Sequence, residues 1–267
     1  MLTNSHTIVL QTLFSFCLLV ASLNTLAIER WQDARYLQKS FITIALEREY
    51  DKKTDTKLVR WERPIYVFLE SDYGDTRLQK ELLSVHLDHL SSITGVPISY
   101  VNSKQDANIF IIFTSYKQLE PKVKEYIGNP EKIRAAIREA ICLGNFSYNQ
   151  RSEITKGTII IPVDYARQKA RFLDCIIEEI TQLMGLPNDS DDVFPSIFND
   201  KSIDSYLSPL DYLLLKLLYS NYLTPGMTVQ DTKRALPLAI RELLNTGDLR
   251  DAARRVRKGS LQEYIGD

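Results

Sequence analysis

The sequence predicts an α+β chain, close to α/β, built on a mixed, mostly parallel sheet. An antiparallel hairpin lies at its edge, with a long central helix and a helical C-terminal part. Three observations lead there. Between residues 65 and 113 the elements run strand, helix, strand, strand, an order that lays neighbouring strands parallel. Two β-rich runs, Ile141 to Tyr148 and Thr158 to Val163, flank polar residues 149–157 and read as a hairpin. From Pro209 onward the chain reads as helices.

The first element is an apolar run over residues 8–27 that ends Thr25-Leu26-Ala27, similar to a signal-peptidase site. The run predicts a signal peptide and an exported chain, periplasmic or secreted. No Lys or Arg precedes it, so an uncleaved anchor is the alternative. Cys17 falls inside this run and goes with the discarded peptide. Cys142 and Cys175 are left, and two cysteines in an oxidising compartment are expected to pair. Closing that loop is worth roughly 3–4 kcal/mol in the chain-entropy account. Two buried free thiols are the other reading.

Glu29 to Tyr50 reads as a helix and Ile65 to Leu69 as a strand. Asp72 to Asp75 supplies a loop and cap before a helix from Arg77 to Ile93, which Gly95 ends. Pro97 to Val101 and Ala107 to Phe113 are further strands. His86 and His89 lie on the apolar side of the second helix. A pair at i and i+3 can ligate a metal, but packed core histidines are commoner, and no third ligand group lies nearby in sequence. Residues 120–140 read as helical, interrupted at Gly128-Asn129-Pro130.

The organising stretch is the helix from Arg167 to Met184, apolar over most of its circumference and hence largely buried. Glu178 and Gln182, four residues apart, project from one face, with Glu179 beside them. Gly185 ends the helix, and the chain doubles back to bring Asn188 and Asp189 towards that face. Buried carboxylates need partners or an open cleft. The plain structural reading is that they hydrogen-bond the loop over 188–192 and hold it down. Beyond it come a capped helix from Pro209 to Tyr219 and another from Val229 to Asn245, kinked or divided at Pro237. Arg250, Arg254, Arg255, Arg257 and Lys258 form a basic tail read as a solvated helix face.

The run Glu178-Glu179-Ile180-Thr181-Gln182-Leu183-Met184-Gly185-Leu186-Pro187-Asn188-Asp189 is similar to the H-E-x-x-H-x-x-G-x-x-H stretch of metzincin zinc peptidases. Glu178, Gln182 and Asn188 stand at the three ligand positions, while the glutamate and the glycine remain as Glu179 and Gly185. Ser196-Ile197-Phe198 resembles a Met-turn with phenylalanine for methionine, and residues 207–219 resemble the closing matrixin helix. More closely, the chain resembles a family of uncharacterised secreted bacterial proteins marked by E-E-x-T-Q-x-x-G-L-x-N-D and S-I-F-N-D. The resemblance implies a metzincin-like (zincin) scaffold over 58–246, with 1–27 as signal peptide, 28–57 as an N-terminal helix and 247–267 as the tail. It also implies an edge strand before the site helix, placing Ile159-Ile160-Ile161 as a peptide-binding edge; a covered strand is the alternative.

No histidine occupies any ligand position, so the set does not suit zinc. Glu178, Gln182, Asn188 and Asp189 offer hard oxygen, which suits weakly held calcium, magnesium or manganese. The net charge of −1 gives no electrostatic case for nucleic acid. Nor does anything beyond the signal segment suggest a membrane. Two functions are therefore expected. One is a non-catalytic exported module, a pseudoenzyme that binds a peptide, protein or envelope partner. The other is a divergent hydrolase using Glu179 as general base.

Overall fold

The computed structural model describes residues 29–47, 56–202 and 205–267. The expected signal peptide and Cys17 lie outside them. The chain divides into two units, Met1–Arg30 and Trp31–Asp267, and the second holds the sheet, the helices and the cleft. Five strands pair in the order β2-β1-β3-β5-β4. They are β1 (Ile65–Ser71), β2 (Ile98–Tyr100), β3 (Ile109–Thr114), β4 (Leu143–Tyr148) and β5 (Ile154–Pro162). All neighbours run parallel except the β4–β5 pair, which is antiparallel. The Ile-rich runs of β3 and β5 are buried on both faces, which is why their apolar residues run on without alternation.

Helix α1 (Ala34–Leu46) starts at Asp33, whose carboxylate accepts the Tyr36 N–H at 2.8 Å, and it buries Leu37, Phe41 and Ile44. Helix α2 (Thr76–Thr94) is capped the same way by Asp75 and ends at Gly95 in the left-handed conformation. The stretch over 120–140 is broken as expected: α3 is Leu119–Tyr126, a 3₁₀ turn covers Pro130–Ile133 and α4 is Arg134–Glu139.

The central helix is shorter than the periodicity predicts. Helix α5 (Val163–Gln168) stops, Ala170 takes φ 56°, and α6 (Phe172–Gln182) begins anew. The Arg171 N–H closes the turn onto the Ala166 carbonyl at 2.8 Å, a helix-ending bond that periodicity does not reveal. At the far end Gly185 has φ 113°, and a Cβ there would overlap the Val59 carbonyl oxygen, so the site needs glycine twice over.

Helix α7 (Pro209–Leu218) carries a capping box between Ser208 and Asp211, and α8 (Val229–Asn245) one between Thr228 and Asp231. Helix α8 runs unbroken through Pro237. The basic segment is not a tail. Helices α9 (Asp248–Arg257) and α10 (Leu261–Ile265) bury Leu249, Ala252, Val256 and Leu261, while Arg250, Arg254 and Arg257 face solvent. Arg255 is drawn in by Asp248 at 2.8 Å. Among the described residues no helix is long and apolar enough to cross a membrane.

Candidate functional site

A cleft of about 580 Å³ opens between α6 and β4, with α4 along its rim. Glu178, Glu179 and Gln182 line it from α6, Asp189 from the loop beyond, and Gly144 from β4. Cys142 and Cys175 are bonded, with Cα atoms 5.9 Å apart, so the start of β4 is tied covalently to α6. The expected pairing is thus present, and it fixes the two walls of the cleft to each other.

Each carboxylate is held differently. Glu179 turns to β4 and accepts the Gly144 N–H. A Cβ at residue 144 would overlap Glu179 Oε2, so only glycine lets the carboxyl reach the strand. Burial and then the charge of Asp189 push Glu179 up to about 8, against the pull of that N–H. Glu178 rises to about 9, through burial first and then the neighbouring Glu179 and Asp189. Arg171, 3.6 Å from Glu178 and 2.8 Å from Asp174, opposes the rise. Gln182 gives its amide to both oxygens of Asp189, at 2.8 and 3.1 Å.

Asn188 does not join them. Its side-chain amide donates to the Thr43 carbonyl at 3.0 Å and its backbone N–H to that of Ile44 at 3.2 Å, so it anchors the loop to α1. The chain doubles back as expected, but only Asp189 arrives. The three positions that the metzincin likeness aligns therefore do not converge, and the residues present do not fit zinc. Among the described residues no group of three or more His, Cys, Asp or Glu is placed to hold a metal. Gln182 is bonded to Asp189 of the 188–192 loop, while Glu179 holds the strand.

The histidines are core residues. His86 Nε2 lies 3.1 Å from the Ile177 carbonyl and 3.2 Å from Thr181 Oγ1, joining α2 to α6, and burial pushes it down to about 3. His89, likewise buried, bonds the Val256 backbone and is pushed down to about 4. Ser196-Ile197-Phe198 forms a buried turn: Asp211 accepts the Ser196 hydroxyl and the Ile197 N–H, and Phe198 is fully buried.

Ile159, Ile160 and Ile161 are not an edge. They lie between β3 and β4 and are fully buried, because the hairpin folds its first strand outside its second. The edge is β4. Gly157 donates its N–H to Asn108 on the β3 side, so by alternation Gly157 and Ile159 face β3. Their β4 partners, Phe146 and Gly144, therefore turn N–H and C=O outward, away from β5, and Gly144 does so over the cleft. Among the described residues no backbone hydrogen bond from another segment reaches them there. Gly144 and Arg171 were not singled out from the sequence; a glycine inside a strand-like run was the one signal available for the first.

An α+β domain with an acidic cleft beneath an open edge strand is the class that this fold and site define. The chain belongs to the DUF2927 family of proteins of unknown function, whose profile matches residues 34–238, from α1 into α8. No curated protein matches the chain.

Proposed function

We propose that the protein is an exported, non-catalytic module that binds an extended segment of a peptide or envelope protein as a sixth strand on β4. The carrying observation is the outward-turned backbone of Gly144 and Phe146, the first of which lines the 580 Å³ cleft. An open edge supplies affinity through main-chain hydrogen bonds, and a cleft beside it supplies side-chain selectivity. The metzincin-like scaffold belongs to this proposal, supported by the mostly parallel sheet with its antiparallel edge. Export is supported by the disulfide, since such bonds persist in oxidising compartments. Glu139, Asp174, Asp189 and Asp200 on the cleft walls favour a segment with basic side chains.

Selection from a displayed random-peptide library, followed by amide chemical-shift mapping, tests the reading. Selected peptides are expected to perturb residues 143–148 and the α6 face. Failure to enrich any sequence, or perturbations confined elsewhere, would remove it. A divergent hydrolase is the second reading, favoured by one observation: Glu179 sits in the cleft with its pKa raised to about 8, suited to proton transfer near neutrality. Peptide cleavage that Glu179→Gln abolishes would select it.

A further inference from the structure

The edge that a sixth strand would use is already engaged at one point, and by a side chain. Glu179 accepts the outward N–H of Gly144, the same group that an added strand's carbonyl would take. Two features show that this contact is built rather than incidental. Residue 144 lacks the Cβ that would collide with Glu179 Oε2. The helix that carries Glu179 is also held against the strand, since Cys175 of α6 is bonded to Cys142, the residue just before β4. One outward position further on, no side chain among the described residues hydrogen-bonds the Phe146 backbone, and the strand then loses register at a bulge between Ser147 and Tyr148.

Resting on the strand-addition reading, we propose that Glu179 is a latch on the β4 edge. Its carboxyl stands in for the carbonyl of an added strand, so the edge is closed at Gly144 and open at Phe146. An incoming segment pairs first at Phe146 and completes its register only by displacing Glu179 from Gly144. Sheet proteins commonly protect an open edge with a charged side chain directed at it. Here the protecting group is reversible, because it comes from the neighbouring helix and not from the strand. The occupant is an extended peptide segment; a second copy of this chain pairing through β4 would be an outcome of the same release.

The test uses the full chain at two levels. Amide hydrogen exchange at Gly144 reads the latch without any ligand. It is expected to be slow in the parent and at least about tenfold faster in Glu179→Ala, because the N–H loses its acceptor. Glu179→Gln keeps the size and an acceptor oxygen, and covers the case in which Glu179→Ala does not fold; a smaller rise is expected. The consequence is read with an acetylated, amidated (Thr-Val)₄ octapeptide by fluorescence anisotropy, with sedimentation to detect self-pairing. Octapeptide binding by Glu179→Ala about tenfold tighter than by the parent, the scale of one hydrogen bond, supports the latch. So does a β4-linked dimer of that variant. Unchanged exchange at Gly144 would overturn the latch, and the strand-addition reading would survive if the parent binds the octapeptide. Faster exchange with neither tighter binding nor dimerisation would leave a structural bond only and would also overturn it. No binding by parent or variant would bring down the reading on which the latch rests.

Discussion

Asp211 holds the turn at Ser196. Its Oδ1 accepts the Ser196 hydroxyl at 2.6 Å, while Oδ2 accepts the N–H of Ser208 at 2.7 Å and of Ile197 at 3.1 Å. One buried carboxylate thus caps α7 and fixes the loop that returns from the cleft. Asp211→Ala leaves three buried donors without their acceptor, and a loss of about 3 kcal/mol or more is expected. Urea unfolding reads it. A change below about 1 kcal/mol would show that water or a neighbour replaces the carboxylate.

The bond between Cys142 and Cys175 encloses the whole β4–β5 hairpin. Reduction, or Cys142→Ser with Cys175→Ser, is expected to cost about 2–4 kcal/mol. Because Cys142 precedes β4, the loss should be uneven: amide exchange should quicken more over 143–148 than in β1. Uniform quickening would mean that the bond acts only on the unfolded chain. Non-reduced mass spectrometry of protein made in an oxidising compartment should find no free thiol at either position.

Glu178 and Glu179 are raised to about 9 and about 8 from an ordinary 4.5, both by burial first and by Asp189, and Glu178 also by the neighbouring Glu179. Asp200 adds to the rise at Glu178, while Arg171 opposes it there and the Gly144 N–H opposes it at Glu179. Between pH 4.5 and 8–9 the folded chain therefore keeps protons that the unfolded chain releases. Their contribution to stability is full below pH 4.5 and falls as pH rises, levelling off above 9. The limiting slope is about 1.4 kcal/mol per pH unit for each group. Buried His86 and His89 act in the opposite sense below their ordinary 6.5, so thermal melts from pH 7 to 9 should show the decline, and Glu178→Gln with Glu179→Gln should flatten it. A double variant that declines as steeply as the parent would place the titrating groups elsewhere.

A designed metal site tests where the loop points. Asp189 meets Gln182, whereas Asn188 is bonded to Thr43. Replacing Glu178, Gln182 and Asp189 by histidine should therefore create a zinc site with three imidazoles and a water. Replacing Glu178, Gln182 and Asn188 should give only two ligands and an affinity at least about 100-fold lower. Calorimetry with zinc compares the two. Equal affinities would mean that the loop turns over and presents residue 188 instead.

Much of this chain is local, and local chemistry is what a sequence displays. Asp75 and Gly95 bound α2, the Ser208–Asp211 box starts α7, and the run Ile159-Ile160-Ile161 is a strand, all from side chains within a turn of the backbone that they serve. The spacing of Glu178 and Gln182 put them on one helix face without reference to any other element. The disulfide could be inferred too, because just two cysteines lie beyond the apolar run.

What the sequence could not decide depends on contacts between distant segments. Which hairpin strand lies outermost is set by how the hairpin closes onto β3, and so β4, not Ile159 to Ile161, became the edge. Whether Asn188 or Asp189 reaches the cleft was settled by α1, whose Thr43 and Ile44 carbonyls, more than 140 residues earlier, take the asparagine. Glu179 looks the same in sequence whether it faces water, a metal or a strand. Only packing set it against Gly144, where burial raises its pKa and a missing Cβ lets it hold the sheet's open edge.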